Sequence, residues 1–287
     1  VDYPGFNMKL AKLAHEKGIP VVSYIAPSAW AWHKSRAKNV AKIVDKVASI
    51  FPFEYDVYKE AGANVEFVGH PLVDIVKPKM TEAEANTFAG KQDDRKLILI
   101  MPGSRLMEVE KMLPTLLEAA KLIKKQLPEV DFVMPRAGSI PLQMLEEKIK
   151  ASGISVKITE GNNYDLFSVA DLALATSGTV TLEAALCGLG SVIVYRTNPL
   201  TYFIAKLVVN IPHIGLPNIV AGKSVLPELI QDDFTPEKVA KEAMSLLERE
   251  RNAKMKEDLA YVKERLGKPG AVGRVAELVL KIAGEKK

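Results

Sequence analysis

Three small residues, Ser177-Gly178-Thr179, follow the apolar run Leu172-Ala173-Leu174 and lead into Ala184-Ala185-Leu186-Cys187-Gly188. The run reads as a buried strand, and the segment after it as a short helix ended by glycine. A strand-to-helix junction presents unpaired N–H groups at the positive end of the helix dipole, which suits a phosphate or diphosphate. Glu183 lies four residues beyond Thr179, on the same helix face. A carboxylate there does not help a phosphate, but it can accept hydrogen bonds from a sugar diol. The same residues also make an ordinary Ser-capped helix with a surface glutamate, and the stretch alone does not choose.

Other positions offer chemistry of the same kind. Pro102-Gly103-Ser104-Arg105 follows Leu97-Ile98-Leu99-Ile100-Met101, so it is a strand-end turn with one cation. An arginine there can clamp a phosphate through two parallel hydrogen bonds, or can be a solvated turn residue. Asn218, in the Pro-rich stretch from Ile211 to Asn218, can bond a ligand or cap a turn. Asp2 sits at the end of a presumed strand, where a lone carboxylate can serve as a general base. The four histidines are scattered, no Asp-x-Asp is present to hold Mg²⁺ on a diphosphate, and a metal-free mechanism is the expectation. There is no Gly-x-Ser-x-Gly elbow and no Walker loop, which disfavours simple hydrolases and NTPases. Trp30 and Trp32 stand beside a basic stretch that includes Lys34 and Arg36. Such a pairing suits a membrane interface, and equally suits buried aromatics next to a solvated basic helix face.

The elements that must position these residues alternate between strand and helix. Up to Val68 the chain reads as β/α units, with helices over residues 6–17 and 54–60 and a basic helix between them. A polar span from Lys77 to Lys96 reads as a linker carrying a helix near residues 82–89. A second β/α run begins at Leu97, with a strong amphipathic helix through Val109, Met112, Leu113, Leu116, Leu117, Ala120 and Ile123. Three helices are expected near the end, over about residues 235–250, 252–266 and 271–284. Two such halves form paired Rossmann-like domains facing a cleft, and ligands of these sheets bind at the carboxyl ends of the strands.

The 287 residues are enough for two cores, and 48% hydrophobic with 26% charged residues is ordinary globular composition. A net charge of +4 is too small for a nucleic-acid-binding profile but fits acidic substrates or an anionic membrane face. The single cysteine, Cys187, allows no disulfide within the chain, which fits a reducing compartment. No apolar run approaches the length of a membrane span.

Taken in order, these motifs resemble the lipid A disaccharide synthase family, a glycosyltransferase family of the twin-Rossmann (GT-B) type. The matching stretches are Val1-Asp2-Tyr3-Pro4-Gly5-Phe6-Asn7, Ala26-Pro27-Ser28-Ala29-Trp30-Ala31-Trp32, Phe51-Pro52-Phe53-Glu54, Phe67-Val68-Gly69-His70-Pro71 and Pro102 to Arg105. Ala175 to Glu183, Tyr195-Arg196, Pro199-Leu200-Thr201-Tyr202, Leu216-Pro217-Asn218-Ile219 and Gln231-Asp232-Asp233 complete the set. The resemblance implies transfer of a sugar from UDP-2,3-diacylglucosamine to 2,3-diacylglucosamine 1-phosphate. The products are a β-1,6 disaccharide and UDP, with inversion and without metal or cofactor.

It implies Asp2 as base, and a UDP-sugar site of Gly103, Ser104, Arg105, Ser177, Gly178, Thr179, Glu183 and Asn218. Lipid or membrane contact falls to Trp30, Trp32 and Arg36. An anionic membrane surface is the implied partner, nucleic acid is not, and a homodimer is among the assemblies allowed. The implied place is the bacterial cytoplasm, peripheral on the inner membrane. On this reading residues 1–76 are the remainder of an acceptor-side domain and 77–96 a linker. Residues 97–234 form the UDP-sugar domain, and 235–287 are helices whose last member packs back on the first domain. Gly5 stands where many members carry a second Asp, and a family segment before Val1 is absent from the sequence. The expectation is a chain that binds UDP but is weak as a transferase by itself. The alternatives are another UDP-sugar GT-B enzyme, an epimerase or a peptidoglycan glycosyltransferase, and a UDP-binding fragment without activity.

Overall fold

A computed structural model describes residues 3–27, 34–92, 94–198, 202 and 212–284. Asp2, Trp30, Trp32 and most of the apolar stretch from Leu200 to Val209 lie outside the described residues. The chain forms two compact units. One holds the described residues up to Ile75 and from Lys263 on, the other those from Val76 to Val262.

The first unit has a three-stranded parallel sheet, in the order β1 (Val22–Tyr24), β2 (Lys46–Ser49), β3 (Val65–Phe67). Helices α1 (Pro4–Glu16), α2 (Lys34–Ile43) and α3 (Pro52–Glu60) alternate with these strands, and the one-turn α4 (Leu72–Ile75) follows. Its core gathers Ala37, Val40, Val44, Val47 and Tyr58. Asp74 on α4 accepts from the amides of Gly270 (2.8 Å) and Ala271 (3.1 Å), and so caps the start of α13 (Ala271–Gly284).

The second unit opens with α5 (Glu82–Ala89), started by a reciprocal cap. The Thr81 hydroxyl accepts from the Glu84 amide, and the Glu84 carboxylate accepts from the Thr81 amide. Its sheet is six-stranded and wholly parallel, ordered β6-β5-β4-β7-β8-β9. These are β4 (Lys96–Met101), β5 (Val130–Arg136), β6 (Lys157–Glu160), β7 (Leu172–Thr176), β8 (Ser191–Tyr195) and β9 (Glu228–Ile230). The connecting helices are α6 (Leu106–Gln126), α7 (Leu142–Ser152), α8 (Asn163–Val169), α9 (Thr179–Leu186) and α10 (Leu216–Ala221). Helices α11 (Pro236–Leu247) and α12 (Arg249–Arg265) follow β9.

Strand β4 is buried from Leu97 to Met101 because β5 and β7 flank it and helices cover the sheet, so its sequence is a continuous apolar run. Helix α6 turns the expected stripe from Val109 to Ile123 inward. No described helix is long and apolar enough to cross a membrane.

Besides the one-turn α4, two elements of the second unit depart from the sequence reading. The Pro-rich stretch around Asn218 is helix α10 rather than loop, because Pro217 sits in the first turn, where its missing N–H is not needed. Strand β9 is also new. It is three residues long, too short to show a period.

Candidate nucleotide-sugar site

The strand order of the second sheet reverses between β4 and β7, which are hydrogen-bonded neighbours, with Ile100 opposite Leu174 and Met101 opposite Ala175. In open parallel sheets this reversal leaves a crevice beyond the carboxyl ends of the two strands. The two motifs picked out in the sequence are the turns leaving those ends. They line one cavity of about 370 Å3, with Gly103, Ser104 and Arg105 from one turn and Ser177, Gly178, Thr179 and Glu183 from the other. Seven of the eight expected donor-binding residues therefore meet around one space.

The β4 turn is demanding at its glycine. Gly103 has φ +119°, and a Cβ there would stand 2.8 Å from Glu108 Oε2 and 2.9 Å from Glu108 Cβ. Glu108 is a residue the sequence reading missed. Its Oε1 accepts from Arg105 Nη1 at 2.6 Å and steadies a side chain that is 80% exposed. So exposed an ion pair contributes little stability, and the guanidinium stays available to an anion. The Ser104 carbonyl accepts from Ser139 Oγ at 2.7 Å, which ties this turn to the segment after β5.

At the β7 end, the Ser177 amide donates to the Val194 carbonyl (2.9 Å) and its hydroxyl donates to the Ile214 carbonyl (3.0 Å). The hydroxyl therefore does not cap α9, as a Ser N-cap would. Gly178 precedes the helix and no side chain caps it. Among the described residues the amides of Gly178, Thr179 and Val180 have no protein acceptor. Three open donors at a helix start make a seat for an anion. Glu183, one turn in, is half-buried rather than on the surface, and burial raises its carboxyl above the usual range. The Tyr164 phenol is likewise raised, by burial and then by the Glu183 charge.

Asn218 is outside this cavity. Its side chain is fully buried, and its amide donates to the Leu226 carbonyl (2.8 Å) and Glu228 Oε1 (2.7 Å). Its oxygen accepts from the amides of Val225 and Leu226, both at 2.8 Å. No bonding capacity is left on its amide for a ligand. Glu228 in turn accepts from the amides of Ile214 (2.9 Å) and Gly215 (3.0 Å). Asn218 thus holds Glu228, Glu228 holds the 214–215 turn, and the Ile214 carbonyl of that turn takes the Ser177 hydroxyl. No motif marks Glu228, because a single glutamate at the start of a short strand carries no spacing signal.

Arg36 lies on α2 in the first unit, exposed and without a carboxylate partner among the described residues. No group of three or more His, Cys, Asp or Glu side chains suited to a metal ion occurs among the described residues.

Known proteins are similar to this chain at two levels. The chain aligns along its whole length with the lipid-A-disaccharide synthase of Geobacter metallireducens, 42% identical and covering 75% of that protein. The Trichlorobacter lovleyi enzyme of the same name is 43% identical over 98% of this chain and 73% of its own. Among solved structures, the Neisseria meningitidis UDP-GlcNAc 2-epimerase bound to UDP-GlcNAc superposes with a TM-score of 0.64 at 17% identity. It covers 96% of this chain and 73% of the epimerase. The S. aureus MnaA–UDP complex gives a TM-score of 0.63 at 14% identity, over 93% and 70% of the two chains. At such identities the structures establish the fold, an α/β architecture of the GT-B kind. The sequence establishes more, since the profile of the lipid-A-disaccharide synthetases matches residues 1–281, and the chain belongs to that family.

Proposed function

We propose that the cavity between the β4 and β7 turns holds the UDP half of an acylated glucosamine donor. The chain is a glycosyltransferase of lipid A disaccharide formation, acting on a UDP-sugar donor and a lipid acceptor. The observation that supports the placement is the pairing of one available guanidinium, Arg105, with three open amides in a single cavity. A diphosphate on those amides would be met by Arg105, and the ribose diol would fall to the Glu183 carboxylate. Asn218 acts at one remove, by holding the turn that takes the Ser177 hydroxyl.

In this reading Asp2 takes the proton of the acceptor 6-hydroxyl as its oxygen attacks the anomeric carbon. The bond from that carbon to the diphosphate oxygen breaks from the opposite face, so configuration inverts and UDP leaves with the bonding pair. Arg105 and the α9 amides offset the charge that grows on the leaving oxygen, a placement that counts for much in a water-poor cleft. Every part of this step is assigned to side chains and amides, with no metal in it. The first unit carries the acceptor side and the second the nucleotide side. Trp30 and Trp32 meet the anionic cytoplasmic face of the inner membrane, where both substrates reside, and a homodimer is the assembly to look for.

The test is UDP binding followed by turnover. UDP should raise the Tm of the protein, and Arg105→Ala should abolish that rise. The same substitution should lower kcat/KM for UDP release by about 100-fold or more, the usual cost of a lost transition-state charge partner. An unchanged UDP shift in the variant would remove the cavity from the mechanism. The fold is also that of UDP-GlcNAc 2-epimerases, so the product decides the chemistry: a disaccharide with UDP on this reading, an epimerised UDP-sugar on the other.

A further inference from the structure

A groove of about 660 Å3 runs between α1 and α2 in the first unit, within the size range of small-molecule sites. Each helix presents one face to it. Gly5, Met8, Lys9 and Lys12 stand at i, i+3, i+4 and i+7 on α1, and Arg36, Asn39, Val40 and Ile43 at the same spacing on α2. The floor is apolar, since Val40 belongs to the core of this unit and Met8 and Ile43 pack against that core. The walls are cationic, with Lys9 and Lys12 on one side and Arg36 and Lys42 on the other. Among the described residues no acidic side chain lines the groove. Among the described residues Lys9, Arg36 and Lys42 have no carboxylate partner, and Lys12 reaches only the exposed Glu16, at 3.8 Å.

Four cations around an apolar floor, with no carboxylate among the described lining residues, ask for an anion with a hydrocarbon tail. We propose that this groove is the acceptor subsite of the reaction assigned above, and the proposal rests on that assignment. One acyl chain of the acylated sugar phosphate lies on the floor formed by Met8, Val40 and Ile43. Its phosphate meets Lys9 and Arg36. A phosphate monoester carries about −1.5 to −2 charges at pH 7, enough to engage cations from both walls. A substrate is favoured over a bilayer lipid because the cations sit on two facing walls around a recess rather than across one flat surface. The sequence agrees, since Asp2, the base of the proposed step, precedes Gly5 of the groove by only three positions. An acceptor held along the start of α1 is held near its base in the chain.

The test is the double variant Lys9→Glu/Arg36→Glu, assayed in detergent micelles with 2,3-diacylglucosamine 1-phosphate and UDP-2,3-diacylglucosamine. Both side chains are exposed and have no carboxylate partner among the described residues, so the Tm should hold, and Lys9→Gln/Arg36→Gln provides a milder copy. The acceptor KM should rise by about tenfold or more, the scale of losing charge-assisted phosphate contacts, while the donor KM stays put. With an acceptor lacking the phosphate, variant and wild type should become alike. An unchanged acceptor KM overturns the proposal, as does an equal defect with and without the phosphate. It also falls if the micellar KM is normal while sedimentation with phosphatidylglycerol vesicles is lost, because the groove would then be a membrane contact. These failures leave the donor reading standing. A missing UDP-induced Tm shift in the wild type would instead sink the donor reading itself.

Discussion

The β4–β7 cavity and the α1–α2 groove are built from different parts of the chain. The cavity is made by backbone. Its frame is open amides, a positive-φ glycine where a Cβ would crowd Glu108, and a serine whose hydroxyl is spent on a carbonyl, with Arg105 and Glu183 added to it as side chains. The groove is made by side chains on two helix faces, with methionine, valine and isoleucine below and lysine and arginine above. Backbone sites demand small residues at fixed places, so they leave a motif in the sequence. Side-chain sites leave only a helical period with charges on it, which is also how any solvated helix looks. That difference explains why the two turns of the cavity stand out in the sequence while the lining of the groove does not.

Acid probes the contrast most strongly. His70 is buried in the first unit, its ring 4.7 Å from that of Phe51, and its Nδ1 accepts from the Leu72 amide at 3.1 Å. That bond needs an unprotonated nitrogen, and burial lowers its pKa to about 4. The unfolded chain takes up the proton first, near pH 6.5. The contribution of neutral His70 is therefore complete above that pH and is lost as pH falls from about 6.5 toward about 4. The loss should approach about 3 kcal/mol at the acid end. Denaturant titrations of wild type and His70→Asn between pH 7 and 4 would measure it, because Asn can accept the same bond and does not titrate. If both lose stability in parallel over that window, another group is responsible.

The next effect belongs to the cavity. Asn218→Ala would orphan the amides of Val225 and Leu226 and the Leu226 carbonyl, and leave Glu228 short of a donor. The expected loss is about 2 kcal/mol of stability, from several buried groups left partly unsatisfied. UDP affinity should fall with it, since the 214–215 turn that takes the Ser177 hydroxyl is then held less firmly. A variant that loses UDP affinity at full stability would mean that Asn218 touches the ligand after all.

The fold was readable where burial forces a pattern. Leu97 to Met101 announces a strand buried on both faces, and the stripe from Val109 to Ile123 announces α6. Twin parallel sheets followed from the β/α alternation. That β4 and β7 are neighbours did not, because strand order is a long-range property that no local period encodes. The cavity residues were legible as two separate turns, and only the sheet brings them together. Glu108 was illegible because an acidic residue in the first turn of a helix is expected on electrostatic grounds alone. Asn218 was open in the sequence between a ligand contact and a turn cap, and only the fold shows that its partners are all within the protein.

Glu183 gives the smallest effect and the finest test of the backbone-built site. Burial raises its carboxyl pKa in the folded state, so the native protein holds that proton more tightly than the unfolded chain does. The ionised carboxylate therefore costs stability at neutral pH, and the cost disappears as pH falls through the raised pKa. Glu183→Gln removes the charge and keeps an acceptor oxygen. It should be slightly more stable than wild type at pH 7 and equal to it in acid, while its UDP affinity drops because an amide oxygen accepts more weakly from a ribose diol than a carboxylate does. Stability and affinity should thus move in opposite directions. Thermal melts with and without UDP at two pH values would show it, and a Gln variant that is less stable at pH 7 would mean that the carboxylate is there to hold the fold and not the sugar.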